Sequence, residues 1–572
     1  MGTKTRKIDF SCRRFGKMAD KYYNEGNYVS ALRFAYKQLH LYGGDADIYA
    51  RLADIYEGMS LNGSALKWWF RLLDIADEED LPDVYEGIAI NYLNLGNEGQ
   101  AAYYYNRLID ADDNLPEETK LDIAAAFSTK KRDKFRFVYP PKLADYSNEV
   151  SLGSKALKAG DCARAISMLD KVEKGSKEYV SAKEMQAVSY LLAGQADVAE
   201  TICLDLLQDA PDNVRVKATL AAVYLEEGKT EESRLLAQEL SRQDLEDTDD
   251  LYKVATICCE NGLHEEAYQK FCLLDKKLPF DGRMLYFKGV SAYKSGRVGA
   301  AEKVFDELCS VYPDAEVTKY YLNRIRAFRE GEQGAPELTY FYHIPQEERD
   351  YRCKTLLHIS GCAKDEAQIF GLLALHDGYL QWCFDEMDGG DHDLQYLALI
   401  TAVHIRADEF IEDILLDPEV ADVLKIETLR MLLERNEDKQ IGIVLCNIYR
   451  KVDLLHISIG RKRRKRFMDA YAKIASKFFV IADDYGVKIK HAAEQLYRCL
   501  ETKERFDLAN SSDDCACAIY LLSGLKELGN DVTRIAVAFD ANVEKVNELL
   551  GVALDREDVG RNENGTLEEE QR

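Results

Sequence analysis

Proline is scarce in this chain, with ten in 572 residues. A proline inside a helix removes a hydrogen bond and clashes with the preceding turn, so its scarcity leaves long stretches free to be helical. Alternating β-branched runs are few, which argues against sheets. Long apolar runs are missing too. The longest, such as Ile369 to Leu375, fall far short of the roughly 20 residues a membrane span needs. Positive charge is in short supply: 75 Lys and Arg face 101 Asp and Glu, a formal net charge of −26. Taken whole, such a chain repels nucleic acid and anionic membrane.

Chemistry-bearing motifs are also lacking. None of the 14 cysteines forms a C-x-x-C pair; Cys258-Cys259 and Cys515-Ala516-Cys517 come nearest. Scattered thiols read as buried side chains of a reducing compartment, not as a disulfide framework or a zinc site. The nine histidines are dispersed, and no Walker loop, Rossmann glycine set or H-E-x-x-H occurs. The densest acidic patch, Asp385 to Asp393, lacks EF-hand spacing and reads as an inter-helix loop. The stretch Met1 to Phe15 is basic without an apolar core, so it is no secretory signal. The sequence therefore assigns no catalytic residue, no metal ligand and no cofactor. It reads as a non-enzymatic, cytoplasmic protein without a membrane span.

What is present is a rhythm. Gly160, Gly194, Gly228, Gly262 and Gly296 stand 34 residues apart. A strict period of this length marks a repeat solenoid. Five residues after each glycine stands Ala165, Ala199, Ser233, Ala267 or Ala301, and four further on Leu169, Cys203, Ala237, Phe271 or Phe305. Each period reads as two antiparallel helices, A and B. The glycine closes helix A, where a left-handed backbone costs glycine little. Small residues on helix A, from Ala19, Ala53 and Ala89 to Gly153, Ala187, Ala221, Ala255 and Gly289, stand where A must cross B closely. Pro211, Pro279 and Pro313 end helix B.

This pattern resembles the tetratricopeptide repeat family over about residues 12–330. The resemblance implies an all-α fold, a right-handed superhelix of eight helix-turn-helix repeats in two blocks, followed by a helical C-terminal region. Three repeats occupy residues 1–113, and five with a capping helix occupy 147–332. An insertion at 114–146 holds one helix and the basic, aromatic stretch Thr129 to Lys142. Ser60 departs from the pattern by replacing a turn glycine. Residues 338–455 read as further helices with a faint HEAT-like resemblance. Residues 467–554 read as a helical bundle, faintly similar to the cyclin-like repeat of general transcription factor TFIIB. The last two of its helices scan as a helix-turn-helix with Thr533, Ile535, Ala536, Val543, Val546 and Leu550 as core. The polar residues 555–572 read as a disordered tail.

In the resembled family, helix A lines a concave groove. By register the groove positions here are Val188, Leu191, Ala222, Leu225, Tyr252, Cys259, Tyr286, Val290 and Tyr293. Apolar surface of this kind marks a partner site. The expected function is an adaptor that holds a peptide or helix of a partner protein there. Family members that clamp chaperone C-termini use Lys and Asn; the matching places hold Gly16, Asp20, Ala50 and Asp54, so that ligand is not expected. An alternative is a nucleic-acid-associated regulator built on Arg461, Lys462, Arg463, Arg464, Lys465 and Arg466. These six cations read as an anion-binding site, as a localisation signal, or as partners of acidic patches of the same chain.

Overall fold

The computed structural model describes residues 12–112, 115–127, 146–361, 378–385, 391–479, 481–482, 484–529 and 531–554. These form 28 helices and one two-stranded sheet. Block one is three hairpins: Cys12–Asn24 with Tyr28–Tyr42, Ala46–Gly58 with Asn62–Ile75, and Leu81–Asn94 with Glu98–Ala111. Block two is five. Unit four is Ser147–Lys158 with Cys162–Leu169, and unit five is Tyr179–Leu192 with Ala196–Asp209. Unit six is Val214–Glu226 with Thr230–Ser241, unit seven Thr248–Glu260 with His264–Lys277, and unit eight Gly282–Lys294 with Val298–Val311. The helix Glu316–Arg329 caps the array. The fold is all-α but for one hairpin.

The rhythm has a geometric cause. The turn after helix A needs a left-handed residue: Gly262 has φ of 68°, and Ser60 accepts the same conformation at 61°. Further along, the two helices press together. A Cβ on Gly289 would lie 2.3 Å from the Phe305 ring, so nothing larger than glycine fits there unless that ring moves. Ala267 and Phe271 are likewise fully buried at the crossing in unit seven.

The superhelix closes on itself. Block one packs against unit eight and the C-terminal region, with Val311, Leu416 and Val444 entering its apolar core. The Tyr56 hydroxyl donates to the Val311 carbonyl at 2.8 Å. Lys67 pairs with Asp417 at 3.1 Å and Arg71 with Asp413 at 2.8 Å. Arg33 pairs with Asp306 and donates to the Ser310 hydroxyl at 2.9 Å.

The C-terminal region departs from expectation. After the helices Gln346–Gly361, Tyr379–Trp382, His392–Ile405, Asp408–Leu416 and Asp422–Glu434, the chain forms two strands, Lys439–Leu445 and Ile448–Leu454. They pair antiparallel around Cys446 and Asn447, whose φ values are 51° and 62°. Two positive-φ residues make the two-residue turn that matches strand twist. A continuous helical reading of 338–455 is therefore corrected. The turn is written Cys-Asn where Asn-Gly or Asp-Gly is the usual signal. Tyr449 of the second strand donates its hydroxyl to Asp74 at 2.7 Å, and its backbone N–H donates to the Tyr104 hydroxyl at 3.0 Å. The hairpin thus helps hold block one in place.

The helices Arg464–Phe478, Tyr485–Thr502, Ser512–Ser523, Val532–Phe539 and Val543–Leu554 end the described chain. Cys515 to Tyr520 are all fully buried, so Ser512–Ser523 is the central helix of this bundle. Ile535, Ala536 and Val546 are buried, but Thr533 is exposed and Leu549, one position before Leu550, is the buried leucine. Thr533 stands at the helix start, where its N–H donates to the capping Asp531 at 3.0 Å.

Candidate functional site

In block two, helix A is the segment that the repeat register assigns to the concave side. Val188 and Leu191 of unit five, Ala222 and Leu225 of unit six and Tyr252 of unit seven are half-buried there. An ion pair between Lys253 and Glu184 joins helix A of unit seven to that of unit five. Burial raises the Tyr252 hydroxyl above its usual pKa and keeps it a hydrogen-bond donor at neutral pH.

Towards unit eight the concave face is filled by the chain itself. Residues 338–344 run without regular structure from the end of the capping segment to Pro345. The Tyr286 hydroxyl donates to the carbonyls of Thr339, at 3.1 Å, and Phe341, at 3.3 Å. Tyr321 donates to the His343 carbonyl at 2.9 Å. Tyr340 lies against Phe287, and its hydroxyl is 2.9 Å from His264 Nδ1. Tyr342 packs edge-on against Tyr286 at 4.8 Å between ring centres and donates to Asp385 at 2.9 Å. Phe341 points outward, 75% exposed, beside a cavity of about 330 Å³ lined by Arg283, Tyr286 and Phe287, and His343 is exposed as well.

This strap corrects part of the expected site. Cys259, Tyr286 and Val290 are buried beneath or beside it and offer no surface to a partner. Burial pushes the Cys259 thiol up to about 12, so it is un-ionised at neutral pH. Tyr293 is half-buried and packs on the core that unit eight shares with the C-terminal region. Sequence periodicity missed the strap because it lies outside the repeat. The signal was its aromatic run, "TYFYH", just after Gly331 and Gly334.

The basic run lies elsewhere, at the start of the helix Arg464–Phe478. Arg461, Lys462, Arg463, Lys465 and Arg466 are exposed. Arg464 is half-buried and donates to the Ile459 carbonyl at 2.9 Å. Lys462 sits 5.0 Å over the Phe506 ring, and Arg466 reaches the Asn510 side chain at 3.4 Å. No ion pair between any of the six and a carboxylate is found among the described residues. Lys465 nonetheless acts on Glu434, opposing the burial that raises that carboxyl's pKa, so the run faces its own chain's acidic residues without a direct ion pair. The stretch Thr129 to Lys142 lies outside the described residues. Of the acidic patch, Asp385 accepts from the Val317 N–H at 3.0 Å, and Asp391 caps the helix His392–Ile405. Both are structural, and among the described residues no three His, Cys, Asp or Glu side chains gather as a metal site.

Residues 150–214 match the tetratricopeptide repeat family. That match spans units four and five of the helical-hairpin array. No match to a curated protein was found. Among solved structures, a tetratricopeptide repeat protein from Parabacteroides merdae is 14% identical, over 49% of this chain and 98% of that one, with a TM-score of 0.24. Yeast Tom70 is 13% identical, over 86% of this chain and 96% of its own, with a TM-score of 0.21. The TPR2AB domain of yeast Sti1, solved with an Hsp90 peptide, is 14% identical, over 56% and 95%, with a TM-score of 0.18. None superposes well enough to carry an argument about this chain.

Proposed function

We propose that the protein is a non-enzymatic adaptor that holds an extended segment of a partner protein against helix A of units five to seven. The observation that carries this reading is the strap. The same concave face already binds one extended, aromatic stretch, reading its carbonyls with tyrosine hydroxyls and its rings with apolar walls. Upstream, Val188, Leu191, Ala222, Leu225 and Tyr252 are half-buried, Leu191 against the core of units five and six and Ala222, Leu225 and Tyr252 against that of units six and seven, and the side of each left to solvent is the surface offered to the partner. Recognition through main-chain carbonyls selects extended peptides, and ring pockets select among them. All 13 described cysteines are free, which fits work in a reducing compartment such as the cytoplasm. No helix among the described residues is long and apolar enough to cross a membrane.

The test is selection of peptides from a displayed library on the full chain. Aromatic-containing extended peptides are expected to be enriched. The variant Leu191→Ala/Leu225→Ala/Tyr252→Ala is expected to lose them, because a buried interface aromatic commonly contributes about 2 kcal/mol, roughly 30-fold in affinity. Leu235→Ala, which trims an exposed helix-B leucine, is expected to keep them. Equal recovery by the triple variant, with its circular dichroism unchanged, would place binding elsewhere.

A further inference from the structure

We infer that the corner formed by Arg461 to Arg466 is a docking site for the phosphate backbone of single-stranded nucleic acid, separate from the groove. The first ground is the lack of partners. Some cations elsewhere in this acidic chain meet carboxylates, as Arg215 meets Asp247 and Asp250 and Arg430 meets Glu427, Glu434 and Asp469, while others, such as Arg450 and Lys451 of the strand Ile448–Leu454, meet none among the described residues. None of the six consecutive cations is in an ion pair among the described residues, and in a row they form the densest positive charge of the chain, with Lys465 acting on Glu434 only at a distance. Three of the six, Arg464, Lys465 and Arg466, stand in the first turn of the helix, where positive charge opposes the helix dipole. Arg463 adds a left-handed backbone at φ 57°. An arrangement that folding disfavours on several counts fits a charge set aside for a ligand.

The second ground is the surroundings. Residues 456–554 carry sixteen Lys and Arg against fourteen Asp and Glu, a net of +2, so the rest of the chain carries −28. A polyanion meets least repulsion at this end of the molecule. The third ground is a cavity of about 640 Å³ lined by Lys503, Arg505, Leu508, Glu548, Gly551 and Val552. The Phe506 ring beneath Lys462 joins the corner to the loop that rims it. The cavity is a shallow depression open to solvent, and its two cations, Lys503 and Arg505, extend the basic surface of the corner.

The chemistry separates the candidate ligands. Arginine forks suit phosphate oxygens, and four of the six residues are arginine. An acidic peptide would use the same cations but is repelled by Glu548 beside them, whereas the ring N–H of a uracil or thymine base can donate to that carboxylate. A lipid surface would call for an apolar side chain to insert, yet the flanking Ile459, Phe467 and Met468 are buried. Duplex DNA would call for a helix in its major groove, and the helix Val543–Leu554 offers Glu544 and Glu548 with only Lys545 between them.

The experiment is fluorescence anisotropy of the full chain with labelled oligouridylate and oligothymidylate, titrated at several salt concentrations. The wild type should bind with a salt dependence of about 0.7 in log–log slope per phosphate neutralised. Arg461→Ser/Lys462→Ser/Arg463→Ser/Lys465→Ser/Arg466→Ser, which spares Arg464, should lose about tenfold or more. Arg461→Lys/Arg463→Lys/Arg466→Lys should keep most of the salt slope. Should the serine variant misfold, Arg461→Ser and Lys465→Ser singly should each lower the slope by about 0.7. Three results overturn the inference: no salt-sensitive binding by the wild type, equal binding by the serine variants, or equal or tighter binding of polyglutamate, phosphatidylserine vesicles or duplex.

Discussion

His264 fastens one end of the strap through the Tyr340 hydroxyl. Burial, and then the nearby Lys294, hold its imidazole below the usual 6.5, while Glu266 opposes them. A histidine whose folded pKa is lowered binds fewer protons folded than unfolded. Its contribution is therefore complete above the unfolded value and is lost as pH falls from there through the lowered one. Strap amides 338–343 should exchange hydrogen faster at about pH 5 than at about pH 7, after correction for the intrinsic rate. His264→Gln should flatten that difference; an unchanged profile would remove the imidazole from the account. Packing at the repeat crossing makes a second residue-scale prediction. Gly289→Ala places a methyl where the Phe305 ring now lies. Overpacking of this kind typically costs about 1–3 kcal/mol, visible as a lowered midpoint in urea. A midpoint equal to wild type would mean that the ring turns aside freely.

At the scale of elements, legibility followed periodicity. The turn glycines and the small crossing residues recur at fixed intervals, so unit five could be read from Gly194 and Ala199 alone. The strap and the hairpin have no repeat to announce them. The strap is fixed by partners far along the chain: Tyr286 stands 53 residues before Thr339. The hairpin depends on a Cys-Asn turn whose backbone, not its composition, is distinctive. The groove was legible as a face of helix A, but not its occupancy. Which of Tyr252 and Tyr286 stays open is decided by residues outside the array. One outcome is measurable at this scale. In wild type, Cys259 lies under Tyr340 and should resist alkylation. Tyr340→Ala should expose it, read by mass spectrometry of the labelled peptide. Persistent protection in that variant would show that the helices alone bury the thiol.

At the scale of the molecule, the array is clasped rather than open. Arg33, Lys67 and Arg71 of block one reach Asp306, Asp417 and Asp413 across the closure. Arg71 also lies 4.3 Å over the Trp68 ring, which keeps its guanidinium aimed. Reversing the three charges, Arg33→Glu/Lys67→Glu/Arg71→Glu, should set like charges face to face and open the clasp. Small-angle scattering should then give a larger radius of gyration, with helix content unchanged. A radius equal to wild type would mean that the apolar contacts around Val311 and Val444 close the molecule unaided.

The clasp also sets a clock on synthesis. Block one leaves the ribosome first, but the surface it rests on is not yet translated. Asp74 must wait for Tyr449, 375 residues later. At about 5–20 residues per second, that delay is roughly 20–75 seconds. Throughout it, the face bearing Trp68 and Tyr104 is wet, though the finished molecule hides it. The nascent chain therefore passes through a stage with an uncovered aromatic surface, and this is when it most needs a chaperone or the shelter of the exit tunnel.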